Sequence, residues 1–320
     1  MPDSSLPAGQ LGPDLDAWLA DVLAAPVVAA TPLSGGYRNA NTLVSTADGD
    51  QFVVRQYLQD GAARTCAIEA ALLVMMAGIV PAAEVVAADE RGQTAGQPVL
   101  LTSFVAGSML SDELSLQPDE DEAAELGRSA GLALARIGAI TFGQAGPFAD
   151  ASLEPIAGGL PGSLPEFVEQ CLAAGQAAEV LSAAELAGLR RLAEDGQRVA
   201  DQADVASQLV HSDFNPKNLL VGPGPDGWTV AAVLDWEFAF SGSPLVDVGN
   251  MLRFADELPP GFADGFIGAF ASAGGALPDD WRPISQAYDL YALADLLTRP
   301  VSHRYFGRAV TALRGRLDGG

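Results

Sequence analysis

Hydrophobic and polar positions change period along this chain, and the change divides it. Residues 13 to 25, "PDLDAWLADVLAA", place Leu15, Trp18, Leu19, Val22 and Leu23 at helical spacing behind a Pro-Asp start, which predicts a helix. The period then shortens. "VVAATPL", "NTLVSTA" and "QFVVRQYL" read as strands, with "SGGYRNA" and "DGD" as turns between them. A helix over about 63–77 follows, and then "AAEVVAA" and "PVLLTSFV" as two further strands. Five strands and one packed helix in about a hundred residues predict a small α+β unit at 1–104. From about residue 118 the pattern turns helical. Helices are predicted from 118 to about 139 and over 165–203, 247–256, 261–273 and 281–316, after a Gly- and Pro-rich connection at 141–165. A single hairpin at 218–235 interrupts this second unit, 105–320. No internal repeat is visible.

The 320 residues suffice for two lobes with a sizeable core, and a hydrophobic fraction of 49% fits a globular chain. No apolar run approaches the ~18 residues of a membrane span, and the first residues lack the basic and apolar regions of a secretory signal. With only Cys66 and Cys171 and no sign of a disulfide framework, a reducing, cytoplasmic setting is expected. Acids outnumber bases 41 to 17, for a net charge of −24. That surplus argues against nucleic-acid or anionic-membrane partners. It fits either a solvated acidic surface or a pocket for a cationic small molecule. Lysine occurs once, at Lys217.

The densest chemistry lies in "LVHSDFNPKNLLV", 209–221. Here polar side chains crowd against the start of an apolar strand, which costs free energy unless they are paired. "NLLV" and "WTVAAVLD" flank the turn-rich "GPGPDG". An antiparallel hairpin of that form brings its outer ends, Asn218 and Asp235, side by side. Asp213 lies five residues before Asn218. Oxygen donors of this kind suit a hard cation such as magnesium, which keeps water and phosphate ligands, better than zinc. Singly, each residue reads as a turn cap or a hydrogen-bonded core group. Together they form His-x-Asp-x-x-x-x-Asn, strand, turn, strand, Asp, the order of a kinase catalytic loop and metal-binding Asp.

"HSDFNPKNLLV" followed by "VLDWEFAFSGSPLVDVGNMLRF" resembles the aminoglycoside phosphotransferase family. These are small-molecule kinases of protein-kinase-like fold, related to choline, homoserine and fructosamine kinases. The resemblance runs over about 30–310 and is strongest at 209–253. It implies a bilobal fold and an ATP- and Mg2+-dependent transfer to a small-molecule alcohol. It implies that Asp213 orients the substrate hydroxyl and accepts its proton, that Asn218 and Asp235 hold magnesium, and that His211 and Asp247 brace the loop. Ser212 stands where the family has Gly. Only eleven residues separate Asp235 from Asp247, too few for a protein-kinase activation segment. In the first unit, Gly35 and Gly36 would approach phosphate, Arg55 would take the place of the phosphate-binding lysine with Glu69 as its partner, and backbone near Ser103 and Val105 would meet adenine. Three other readings stay open: a metabolic kinase of choline, homoserine or a sugar derivative, a nucleotide-binding protein without turnover, and a magnesium hydrolase using His211, Asp213 and Asp235.

Overall fold

The computed structural model describes residues 11–33, 39–158, 162–225 and 227–318. The fold is α+β and bilobal. Helix α1 (Pro13–Leu23) precedes strands β1 (Val27–Leu33), β2 (Asn39–Thr46) and β3 (Gln51–Tyr57). Helix α2 (Ala62–Met76) and strands β4 (Val85–Asp89) and β5 (Val99–Ser103) follow. The strands form one antiparallel sheet in the order β1-β2-β3-β5-β4. One face of it buries Val44, Val54, Val99 and Leu101 against Leu15, Trp18 and Leu19 of α1. The other receives α2, whose Leu72, Leu73 and Met76 join a core that continues into the second lobe. The predicted Gly35–Gly36 turn lies outside the described residues.

The second lobe begins with β6 (Ser108–Met109), α3 (Leu110–Ser115) and α4 (Glu120–Gly138). Then come β7 (Gly146–Pro147), α5 (Leu164–Ala174), α6 (Ala183–Gln202) and β8 (Gln208–Val210). Next are the hairpin of β9 (Leu219–Gly224) and β10 (Gly227–Val233), β11 (Phe240–Gly242) and α7 (Leu245–Leu252). Helices α8 (Phe262–Ser272), α9 (Trp281–Leu296) and α10 (Arg304–Asp318) complete the lobe. The hairpin is not the only sheet in this lobe. It is widened by β6, which pairs with β9, and β7-β11-β8 make a second small sheet. These strands, two or three residues long apart from the hairpin, are too short to leave a period in the sequence.

Two predicted helices are divided. The segment 281–316 breaks between α9 and α10 around Pro300, which has no amide to continue a helix. The segment 165–203 breaks after Gly175, where a side chain would collide with the Leu297 carbonyl, and α6 restarts with a capping box of Ser182 and Glu185. The predicted helix at 247–256 starts two residues earlier and stops at Leu252. Cys66 and Cys171 are both free and buried.

Candidate active site

Strand β8 ends at Val210, and the chain turns through a loop whose shape is set by two buried side chains. His211 is fully buried, and both of its ring nitrogens are engaged. Nε2 donates to the Leu234 carbonyl at 2.8 Å, and Nδ1 accepts from the Asp213 amide at 3.2 Å. A nitrogen that accepts from an amide carries no proton, so the ring is the neutral Nε2–H form. Burial pushes its pKa down to about 4, against the Leu234 carbonyl and Asp235, which favour the cation. The ring also packs edgewise on Trp236, with centroids 4.5 Å apart. A ring committed in this way cannot act on a substrate, which removes the magnesium-hydrolase reading that relied on it.

Asp247, in the first turn of α7, is fully buried and accepts the amides of His211 and Ser212, both at 2.8 Å. Burial pushes its carboxyl up to about 7, with the two amides opposing the shift. One turn on, Asn250 Nδ2 donates to the Ser212 carbonyl at 2.8 Å. Ser212 is thereby held at φ 71, the left-handed region where glycine is relaxed. This is the backbone reason for a glycine at this place in the family.

Asp213 projects from the braced loop with both carboxylate oxygens occupied. Asn215 Nδ2 donates to Oδ1 and Asn218 Nδ2 to Oδ2, each at 2.8 Å. Burial raises its pKa from the ordinary aspartate value, and Asn218 and Arg253 counter it. Since Asn218 also donates to the Asp213 carbonyl, its amide nitrogen faces Asp213 and its oxygen is turned elsewhere. The β9–β10 ladder sets Asn218 beside Asp235, because Leu219 pairs with Val233 and the Leu234 amide donates to the Asn218 carbonyl at 2.8 Å. Asp235 has φ 70 and a side chain 35% exposed. The donor set is therefore one amide oxygen and one accessible carboxylate. It fits magnesium, which takes most of its ligands from water and phosphate. Among the described residues no group of three or more His, Cys, Asp or Glu is placed to hold a metal ion.

The first lobe reaches this point through Arg55. Glu69, on α2, is 3% exposed, so it does not face solvent. Its Oε2 lies 3.3 Å from Arg55 Nε and accepts from the Tyr57 hydroxyl at 2.6 Å. Burial raises the Glu69 pKa, while Arg55 and Tyr57 hold it toward the anion. Burial alone would lower the Arg55 pKa, but Glu69 and Asp235 outweigh it and keep the guanidinium charged. Arg55 also binds Asp235 through Nη2 and lies 3.9 Å from Glu237, which accepts from Asn39 at 3.1 Å. The Arg55–Asp235 contact was not foreseen. It joins β3 of the first lobe to Asp235, at the end of the hairpin in the second.

Along the connection between lobes, Ser103 gives its amide to Glu84 O at 2.8 Å and accepts the Glu84 amide on its hydroxyl at 2.9 Å. Val105 is partly exposed in the strand-free stretch before β6. Asn215 and Asn250 were missed by sequence reasoning. For Asn250, its place three residues after Asp247 on one helix face was an available sign.

No curated protein sequence matches the chain. Solved structures similar to it include a thermostable form of the aminoglycoside phosphotransferase APH(4)-Ia in ternary complex with AMP-PNP and hygromycin B. That match has a TM-score of 0.64 at 18% identity and covers 97% of this chain and 99% of the other. The GDP and kanamycin complex of APH(2")-IIia matches with a TM-score of 0.68 at 15% identity, over 95% and 98% of the two chains. A protein assigned as a fructosamine-3-kinase from Thermobifida fusca matches with a TM-score of 0.62 at 19% identity, over 96% and 100%. At such identities the likeness is one of fold, and it is the protein-kinase-like fold of aminoglycoside kinases. The model of the phosphotransferase enzyme family matches residues 29–305, and the chain belongs to that family.

Proposed function

We propose that this protein transfers the γ-phosphoryl group of ATP to a hydroxyl of a small molecule, with residues 1–104 as the nucleotide lobe and 105–320 carrying the catalytic loop and acceptor pocket. The observation that carries the reading is the coupling of Asp213 to Asn218. One side-chain amide fixes the carboxylate through its nitrogen and leaves its own oxygen turned away from Asp213. Phosphoryl transfer asks chiefly for in-line positioning and charge neutralisation, and this arrangement supplies both. Asp213 receives the acceptor hydroxyl and takes its proton as the bond to phosphorus forms. Asn218 and Asp235 would hold magnesium, which when bound neutralises the phosphate oxygens. Arg55, steadied by Glu69, turns from Asp235 to the phosphates when nucleotide enters. Because the amide and hydroxyl of Ser103 are engaged with Glu84, adenine recognition falls to backbone near Val105. The complexes of neighbours with AMP-PNP and GDP support a nucleotide in this cleft.

Two substitutions test the reading. Asp235→Asn is expected to weaken magnesium-dependent AMP-PNP binding by calorimetry at least tenfold. Asp213→Asn keeps shape and a hydrogen-bonding oxygen, so AMP-PNP affinity should hold while ATP turnover, read as slow hydrolysis to water, falls by about 10²–10⁴. Near-normal turnover in Asp213→Asn would remove Asp213 from the chemistry.

A further inference from the structure

Lys217, four residues beyond Asp213, is tied to it through one side chain. The Lys217 amide donates to Asn215 Oδ1 at 3.0 Å, and Asn215 Nδ2 donates to Asp213 Oδ1 at 2.8 Å. From there the Lys217 side chain runs to Tyr305, in the first turn of α10, and its ammonium lies 3.7 Å from the ring centroid. Arg304 lies 4.8 Å from the same centroid and donates to the Tyr305 hydroxyl at 3.2 Å. Arg308 is 5.5 Å from it. Three cations thus surround one ring.

Their charges are compensated unequally. Arg308 is bound by Glu257 at 2.7 and 3.0 Å and stacks on Phe254. Arg253, whose field also reaches Lys217, is bound by Asp289 at 2.6 Å. Among the described residues, neither Lys217 nor Arg304 forms an ion pair with any carboxylate. In a chain with 41 acids and 17 bases, carboxylates to quench two such cations are plentiful, yet none among the described residues pairs with either. Like charges held side by side cost free energy that an incoming anion would relieve. The acids gather elsewhere. Asp119, Asp121, Glu122 and Glu125 line an open cavity with Trp228, at the turn end of the β9–β10 hairpin and away from Asn218 and Asp235.

We propose that Lys217 and Arg304, both held at the Tyr305 ring, form an anion subsite for the phosphoryl acceptor, so that the acceptor is an alcohol bearing a carboxylate or phosphate. This rests on the phosphotransfer reading above and narrows its substrate class. It replaces the cationic pocket that net charge alone suggested. The anion would sit on Lys217 and Arg304 while the acceptor hydroxyl lies at Asp213, on the far side of the loop from the nucleotide.

The test is a two-stage calorimetric titration. Wild-type protein is first saturated with AMP-PNP and magnesium. Malonate, inorganic phosphate, choline and kanamycin are then titrated separately into that complex. Malonate or phosphate is expected to bind, while choline and kanamycin do not. The Lys217→Gln/Arg304→Gln double variant should lose at least tenfold in anion affinity and keep its AMP-PNP affinity within about threefold, while Lys217→Arg should retain anion binding. Failure of both anions to bind the wild type, equal binding by the double variant, or binding of kanamycin in preference to the anions would overturn the proposal. A parallel loss of AMP-PNP affinity in the double variant would move the cluster to the nucleotide and overturn it as well. Absence of AMP-PNP binding in the first stage would defeat the phosphotransfer reading itself, and the acceptor assignment with it.

Discussion

His211 carries the side chain of the 211–218 loop whose ordinary pKa lies nearest neutrality, and the fold uses it for shape. Its neutral ring bridges two backbone groups, and that role has a proton cost that can be measured. The unfolded chain takes up a proton near pH 6.5, whereas the folded one does so only near 4. As pH falls from 6.5 to 4, the unfolded state binds more protons and stability is lost, by about 3 kcal/mol at one pKa unit per 1.36 kcal/mol. Asp247 runs the other way. Its folded pKa of about 7 lies above the unfolded 3.8, so its contribution grows as pH falls through the same window. His211→Asn retains Asp247, so the difference between variant and wild type isolates the histidine. Urea unfolding should show the wild type losing stability relative to His211→Asn between pH 6.5 and 4. Parallel curves would mean that the ring is protonated in the folded protein. At this scale Asp213, Asn218 and Asp235 were legible because polar residues stood at strand ends with fixed spacing. The Arg55–Asp235 contact and the Lys217–Tyr305 pair were not, since they join segments 180 and 88 residues apart and no local pattern encodes such a meeting.

Elements show where the sequence is read well and where it is not. Long runs of consistent period, such as α1, β3, α2 and the hairpin, stand close to their predicted positions. The misjudged helices failed at single residues, Gly175 and Pro300, across which the apolar spacing continues. The Ser-x-x-Glu start of α6 was visible and marked the restart. Glycine has a different task in the packing of α4 on α8. A methyl group at Gly127 would collide with the Phe262 carbonyl, at Gly131 with the Phe266 carbonyl, and at Gly265 with the Ala124 carbonyl. The backbones themselves are therefore in contact, with no side chain between them to rearrange. Gly131→Ala is expected to destabilise by about 2 kcal/mol, within the range for overpacking, despite the better helix propensity of alanine. Chemical denaturation would measure it. A neutral or stabilising result would show that the two helices can separate freely.

For the whole molecule the dominant electrostatic fact is the surplus of 24 negative charges, most of them on exposed side chains. The buried pairs, Arg55 with Glu69, and Arg253 and Arg316 with Asp289, are shielded from solvent and respond weakly to salt. Exposed pairs such as Arg190–Glu169 and Arg198–Asp195 add little, because water and salt screen them. Against these few gains stands the mutual repulsion of the remaining acids, which favours expansion of the chain. Added sodium chloride screens both, but the repulsion is the larger and longer-ranged quantity. Its reach falls from about 10 Å at 0.1 M to about 3 Å at 1 M. Raising sodium chloride from 0.02 to 0.5 M is therefore expected to stabilise the fold by ~2 kcal/mol. For a chain of this length that corresponds to a rise of about 3 °C in Tm by scanning calorimetry. Sodium chloride is the salt to use, because sulfate also strengthens hydrophobic burial and would raise Tm for an unrelated reason. A fall in Tm would show that the ion pairs, the Arg55 bridge between the lobes among them, outweigh the repulsion of the surface.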